Sequence, residues 1–156
     1  MEAHKIRELL ERENLTLAPL HLRALAWLVD MLLLGVVFAL LEGGSLAHLS
    51  DSNGNVNYAA MREFMLGAAY QVLALKIGYD TIFIWRNGAS VGKMLCKIRV
   101  VSLGLVDNPS FFAALLRAGG KYFGESLLFI TYIFGAGDEF YRTLHDRLAR
   151  TLVITR

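Results

Sequence analysis

The sequence is poor in cysteine, in charge and in the reactive side-chain sets that catalysis needs. One thiol, Cys96, stands alone among 156 residues, so no intrachain disulfide forms and no oxidising compartment is implied. No His/Asn constellation accompanies it, no CxxC occurs, and no spacing of ligand residues marks a metal site. These absences predict neither an enzyme nor a cofactor. Charged residues make up only 19% of the chain, against about 25% in a typical soluble domain. A net charge of +2 is too small to attract nucleic acid in bulk. A secretory signal is also missing: Glu2, Lys5, Arg7, Glu8, Glu11, Arg12 and Glu13 interrupt the first twenty residues, so the chain is expected to start at or near Met1.

What is abundant is hydrocarbon. Hydrophobic residues reach 55%, and the mean hydropathy is +0.44. Residues 2–13 read as a short amphipathic helix with Ile6, Leu9, Leu10 and Leu15 on its apolar side, lying at a surface or membrane interface ahead of Pro19. Leu22 to Leu41 is the strongest element. Twenty helical residues rise about 30 Å, the thickness of the hydrocarbon layer, and only Arg23 and Asp30 interrupt the run. Residues 42–63, with Gly43-Gly44 and Asp51-Ser52-Asn53-Gly54-Asn55, read as a loop. Phe64 to Trp85 is a second span, interrupted by Lys76 and Asp80 at helical i, i+4 spacing.

Beyond it, Arg86-Asn87-Gly88 signals a turn, Lys93, Lys97 and Arg99 give a basic interfacial segment, and Ile98, Val100 and Val101 favour extended backbone. Gly88-Ala-Ser-Val-Gly92-Lys93-Met94 is one residue short of a phosphate-binding loop and lacks the hydroxyl residue after lysine, so it reads as a tight turn with close backbone packing. Residues 111–137 are apolar but broken by Arg117, Lys121 and Glu125, and fit either one long tilted span or a hairpin of two shorter helices. Residues 138–156 form a polar, basic tail ending in a small strand at Leu152-Val153-Ile154.

Charge asymmetry favours the hairpin. The arm (Lys5, Arg7, Arg12), the middle segment (Arg86, Lys93, Lys97, Arg99) and the tail (Arg142, Arg147, Arg150, Arg156) are basic, whereas the 42–63 loop holds only Arg62. All three basic regions then face the cytoplasm, and the tail does so only if 111–137 enters and returns. The expected fold is all-α: a polytopic transmembrane bundle of two full spans plus a membrane hairpin, with a small cytoplasmic β element pairing Ile98–Val101 with Leu152–Ile154. Residues 1–18 form a cytoplasmic amphipathic arm and 19–156 the membrane domain.

A charge inside the bilayer costs about 2.5–3.5 kcal/mol on insertion scales and calls for a partner. Depth reckoned from the two span ends suggests two layers, Asp30 with Lys76 and Asp80 with Arg23. Such pairs either fix helix register or form an ion or proton path through Asp30.

Three stretches carry a resemblance. They are Leu22-Arg23-Ala24-Leu25-Ala26-Trp27-Leu28-Val29-Asp30, Gly88 to Val101, and Leu144-His145-Asp146-Arg147-Leu148-Ala149-Arg150-Thr151-Leu152-Val153. Together, over residues 19–155, the chain resembles the RDD family of bacterial membrane proteins, named for one arginine and two aspartates. The resemblance places that triad on Arg23, Asp30 and Asp146 and implies a bacterial cytoplasmic (inner) membrane protein. Members are linked to sodium–proton antiport or to membrane-protein scaffolding. Arg150 departs from the family's usual small residue before the closing threonine. Asp146 then competes with Asp80 for Arg23, or caps a helix beginning nearby. The expected function is a scaffold or assembly factor whose buried charges fix the bundle, with cation–proton antiport through Asp30 as the alternative. The expected partners are the lipid bilayer, a second copy or another membrane protein, and, for the antiporter, Na⁺, K⁺ or H⁺.

Overall fold

The computed structural model describes residues 2–46, 49, 55–104, 106–126 and 137–155. Its elements run α1 (Glu2–Arg12), α2 (Leu20–Leu46), α3 (Tyr58–Asn87), α4 (Val91–Leu95), β1 (Ile98–Ser102), α5 (Phe111–Ser126), α6 (Leu144–Leu148) and β2 (Thr151–Thr155). Both long helices outrun the expected spans. Glu42, Gly43 and Gly44 continue α2 where a loop was expected, because a helix in progress gains one backbone hydrogen bond per added residue, glycine included. Helix α3 starts six residues before Phe64, at Tyr58, behind Asn57, whose side chain accepts the Ala60 N–H at 3.1 Å as an N-cap. It ends at Gly88, which takes the left-handed conformation (φ 68°) that only glycine adopts without penalty. The expected Asp51–Gly54 turn and the return half of the 111–137 hairpin (127–136) lie outside the described residues.

The expected strand pair is present. β1 and β2 are antiparallel, with Val100 opposite Val153 and Val101 opposite Leu152. An isolated two-stranded ribbon is marginal, and this one is covered on both faces. Ile98, Val100 and Val153 point into a core with Ala18, Ala26, Ile84 and Ala114 from the helices. Val101, Leu152 and Ile154 point the other way, against Ile6 and Phe140. Helix α1 therefore closes the outer face of the ribbon, with Ile6 as its plug, and an Arg7–Glu139 ion pair at 2.6 Å tethers it. Residues 16–18 lie alongside β2, through Thr155 N–H to Thr16 O (2.9 Å) and Ala18 N–H to Val153 O (3.0 Å).

Helix α2 is inverted relative to a soluble amphipathic helix. Its buried stripe is Ala26, Asp30 and Leu34, at helical spacing, while Leu25, Leu32, Val36, Leu40 and Leu41 are exposed. Among the described residues it is the one helix long and apolar enough to cross a membrane. Within its candidate stretch Leu20–Ser45, an 18-residue window has mean hydropathy 2.5, and only 17% of that window is buried. The core helix of a soluble protein would be mostly buried, so this exposed hydrocarbon surface fits lipid.

Candidate functional site: a buried polar layer between the helices

Asp30 sits 2% exposed on the inner stripe of α2. Three donors from two other elements close around it: Tyr79 Oη of α3 at 2.8 Å, Ser90 Oγ at 2.6 Å and the Gly92 backbone N–H of α4 at 2.8 Å. The Tyr79 hydroxyl in turn accepts the Val91 N–H at 2.9 Å. Gly92 permits this approach because it has no side chain. A Cβ there would stand 2.1 Å from the Ala26 carbonyl oxygen and 2.9 Å from Asp30 Oδ1. The Gly88–Met94 stretch is thus the close-packed turn its composition predicts, and what it cradles is the Asp30 carboxylate.

The expected pairing of Asp30 with Lys76 is not what forms, nor is that of Asp80 with Arg23. Lys76 Nζ meets Glu125 at 2.5 Å, and Asp80 meets Lys121 Nζ at 2.6 Å, with Lys93 Nζ 3.8 Å away. The reason is α5, which packs along α3 and presents Arg117, Lys121 and Glu125 on one face at i, i+4, i+8. Lys76-Asp80 read along α3 meets Glu125-Lys121 read backwards along α5, so two i, i+4 pairs of opposite sign order interlock. That reversal was available in the sequence as a signal for antiparallel neighbours. Glu125 also accepts the Trp27 indole N–H at 2.8 Å, joining α2 to the ladder.

Arg23 reaches Asp146 instead, at 3.3 Å, and donates to the carbonyls of Ala18 (3.2 Å), Tyr141 (2.7 Å) and Val153 (3.2 Å). Asp146 also receives Arg117 Nε and Nη2 on its other oxygen, at 3.0 and 2.9 Å. It accepts the Thr143 hydroxyl at 2.9 Å, and with it the Thr143 N–H, capping α6. The two roles open to Asp146, arginine partner and helix cap, are both filled by one carboxylate. Residues 140–155 are accordingly largely buried rather than a polar tail, and α6 rests on α5 where Gly120 leaves room for the His145 Cβ. Arg150 does make the tight turn ahead of Thr151, in the left-handed conformation at φ 49°.

Burial alone would raise the Asp146 carboxyl. The Arg117 and Arg23 guanidiniums outweigh that and hold it below the usual carboxylate range. Burial pushes the His145 imidazole down to about 3, so it is neutral at physiological pH beside Asp146. Burial likewise pushes the Lys93 amine down to about 8, against the opposing pull of Asp80. Among the described residues, the layer brings together the cations Arg23, Lys76, Lys93, Arg117 and Lys121 and the carboxylates Asp30, Asp80, Glu125 and Asp146. Two small cavities lie within it. One, of about 10 Å³, is bordered by Asp30, Lys76, Asp80, Lys121 and Glu125. The other, of about 30 Å³, is bordered by Arg23, Lys93, Arg117, Lys121, His145 and Asp146. Among the described residues, no cluster of His, Cys, Asp or Glu is arranged to hold a metal ion.

A helix that shows hydrocarbon outward and tucks an ionised layer inward belongs to a membrane protein rather than a soluble one. The sequence model of the RDD family matches residues 17–150, most of the chain, so this protein belongs to the RDD family. Arg23, Asp30 and Asp146, on which the resemblance places the family's triad, lie in the polar layer, Arg23 and Asp146 in direct contact. No curated protein and no solved structure matches the chain.

Proposed function

We propose that this chain is a non-enzymatic, multi-pass scaffold or assembly protein of the bacterial cytoplasmic membrane, whose buried charges lock the helices in register. The observation that carries this reading is the closure of Asp30, which is filled by three fixed donors and nearly inaccessible. A carboxylate so enclosed works as a clamp between α2, α3 and α4. The proposed topology has α2 and α3 both crossing. At about 1.5 Å per residue each exceeds the ~30 Å hydrocarbon layer, and residues 16–18, β1 and β2 meet at one end, from which α2 leaves and to which α3 returns. That shared end is assigned to the cytoplasm by its basic residues. The exposed leucines of α2 are the surface offered to lipid, to a second copy or to another membrane protein.

A second reading, cation–proton antiport, draws on the row of ionisable groups around the smaller cavity. Reconstitution separates the two. Under the scaffold reading, proteoliposomes carrying the protein show no proton flux driven by Na⁺, K⁺ or Li⁺ gradients, and native-membrane extraction recovers a stable complex. Cation-driven flux that Asp30→Asn abolishes while the protein still inserts would replace the scaffold reading with the transporter.

A further inference from the structure

Helix α1 does not seal the outer face of the ribbon along its whole length. Beside the Ile6 plug, Lys5, Ile6 and Leu9 of the arm, Ser102 and Leu103 at the end of β1, and Arg150 ahead of β2 border a cavity of about 460 Å³. That lies within the usual range of a small-molecule pocket, about 300–1,000 Å³. Its chemistry is one-sided. Three apolar side chains and a hydroxyl meet two cations, and among the described residues no carboxylate borders it. Neighbouring basic residues have acidic partners: Arg7 holds Glu139, Arg12 holds Glu13, and Arg142 and Arg147 hold Asp138. Lys5 and Arg150 make no ion pair or side-chain hydrogen bond among the described residues, and both are exposed. One comes from the arm and one from the ribbon, and they border the same space.

An arginine fork pairs with two oxygens of a phosphate, and a lysine adds a point charge. A phosphomonoester carries about −1.5 to −2 charges at neutral pH, which matches two cations, and the apolar walls suit a hydrocarbon attached to it. We propose that this cavity binds a soluble phosphomonoester with a short apolar group, held between Lys5 and Arg150 so that the ligand bridges arm and ribbon. Ile6 and Leu103 belong to the outer cluster of the ribbon, whereas its inner face rests on α2, α3 and α5. The cavity therefore lies on the side away from those helices, which favours a dissolved ligand over a lipid headgroup. The site is independent of the scaffold reading, which rests on the polar layer.

The test uses the full-length protein in nanodiscs of neutral lipid, open on both sides, at constant ionic strength. Phosphorus NMR follows hexyl phosphate, with empty nanodiscs as the blank. Its resonance should broaden saturably at one site per chain, and amide exchange in α1 should slow. Inorganic phosphate and hexanol, each one half of the probe, should bind at least about tenfold more weakly. Arg150→Gly suits the left-handed backbone there (φ 49°) and keeps the turn, and Lys5→Gln changes an exposed residue of the arm. Each should weaken binding by about tenfold or more. Lys97→Gly removes an equal charge at another left-handed position (φ 54°), next to the opposite end of the ribbon, and should leave binding unchanged. No saturable broadening, or equal losses in Lys97→Gly and Arg150→Gly, would overturn the site. Hexyl phosphate no tighter than inorganic phosphate would mean an adventitious anion contact and overturn the ligand class. Binding without slower exchange in α1 would overturn the bridge, and displacement of the probe by phosphatidate doped into the discs would overturn the soluble source.

Discussion

Asp30→Asn is the most informative single change, because it keeps the shape of the clamp and removes only its charge. In the native protein the carboxylate accepts three bonds, at 2.8, 2.6 and 2.8 Å. An asparagine oxygen can keep the Tyr79 and Gly92 donors, which share Oδ1. The amide nitrogen, however, would face Ser90 Oγ, which would have to turn from donor to acceptor while it still receives Lys93. Bonds to a charged acceptor are stronger than neutral ones by roughly 1 kcal/mol each, so three bonds amount to about 3 kcal/mol. Lower desolvation of the neutral amide offsets part of this, leaving a loss of about 2 kcal/mol. For a chain of this size that is a fall of about 4–8 °C in unfolding temperature. The assay is thermal unfolding in detergent followed by the fluorescence of Trp27, one helical turn from the site. Asp30→Ala, which strands all three donors, should fall further. An Asp30→Asn protein as stable as wild type, or Asp30→Ala no worse than Asp30→Asn, would refute the clamp.

Three other outcomes follow from the same geometry. Gly92→Ala should destabilise by about 3 kcal/mol or more, since its methyl would run into the Ala26 backbone carbonyl and the fixed Asp30 carboxylate. Gly35→Ala, with open space around it, should be neutral or stabilising, and paired thermal melts compare the two. Arg117→Met should cost about 3–5 kcal/mol by removing a buried partner of Asp146, whereas Arg7→Gln at the exposed pair with Glu139 should leave the unfolding temperature close to that of wild type. Stability should fall as pH drops from 6.5 toward 3, because unfolding frees His145 to take up a proton that the folded site refuses. The depressed Asp146 carboxyl, whose contribution is present above its ordinary pKa, is lost later on the same acid side. In a pH series of melts, His145→Gln should flatten the first part of that slope.

Elements with a local signature were legible in the sequence. The apolar run of α2, the β-branched stretches that pair as β1 and β2, and the Gly88–Met94 turn all declare themselves within a few residues. The charge partners did not, because a partner depends on which helix lies opposite. Depth placed Lys76 near Asp30, but α5 intervenes and supplies Glu125 and Lys121, a face visible only when its i, i+4 pattern is compared in reverse with that of α3. Ser90 and Tyr79 were missed because neutral hydroxyls give no sign in the sequence that they will serve a buried carboxylate. Asp146 lies in a stretch that reads as a polar tail, and the two roles the resemblance suggested for it, partner of Arg23 and helix cap, are both present. The capping of α6 and the shared arginines pull it inside.

The partners of Arg23 have a further consequence for how the protein is made. Apart from the Ala18 carbonyl, its acceptors at Tyr141, Asp146 and Val153 lie 118, 123 and 130 residues downstream. At about 5–20 residues per second of synthesis, α2 waits roughly ten seconds before those acceptors exist. During that interval the arginine at its entrance needs water or lipid phosphate as a substitute. A chain that stops short of the 141–153 segment therefore lacks three of the acceptors that hold Arg23 in the folded protein, and α2 keeps its entrance unanchored until they are made.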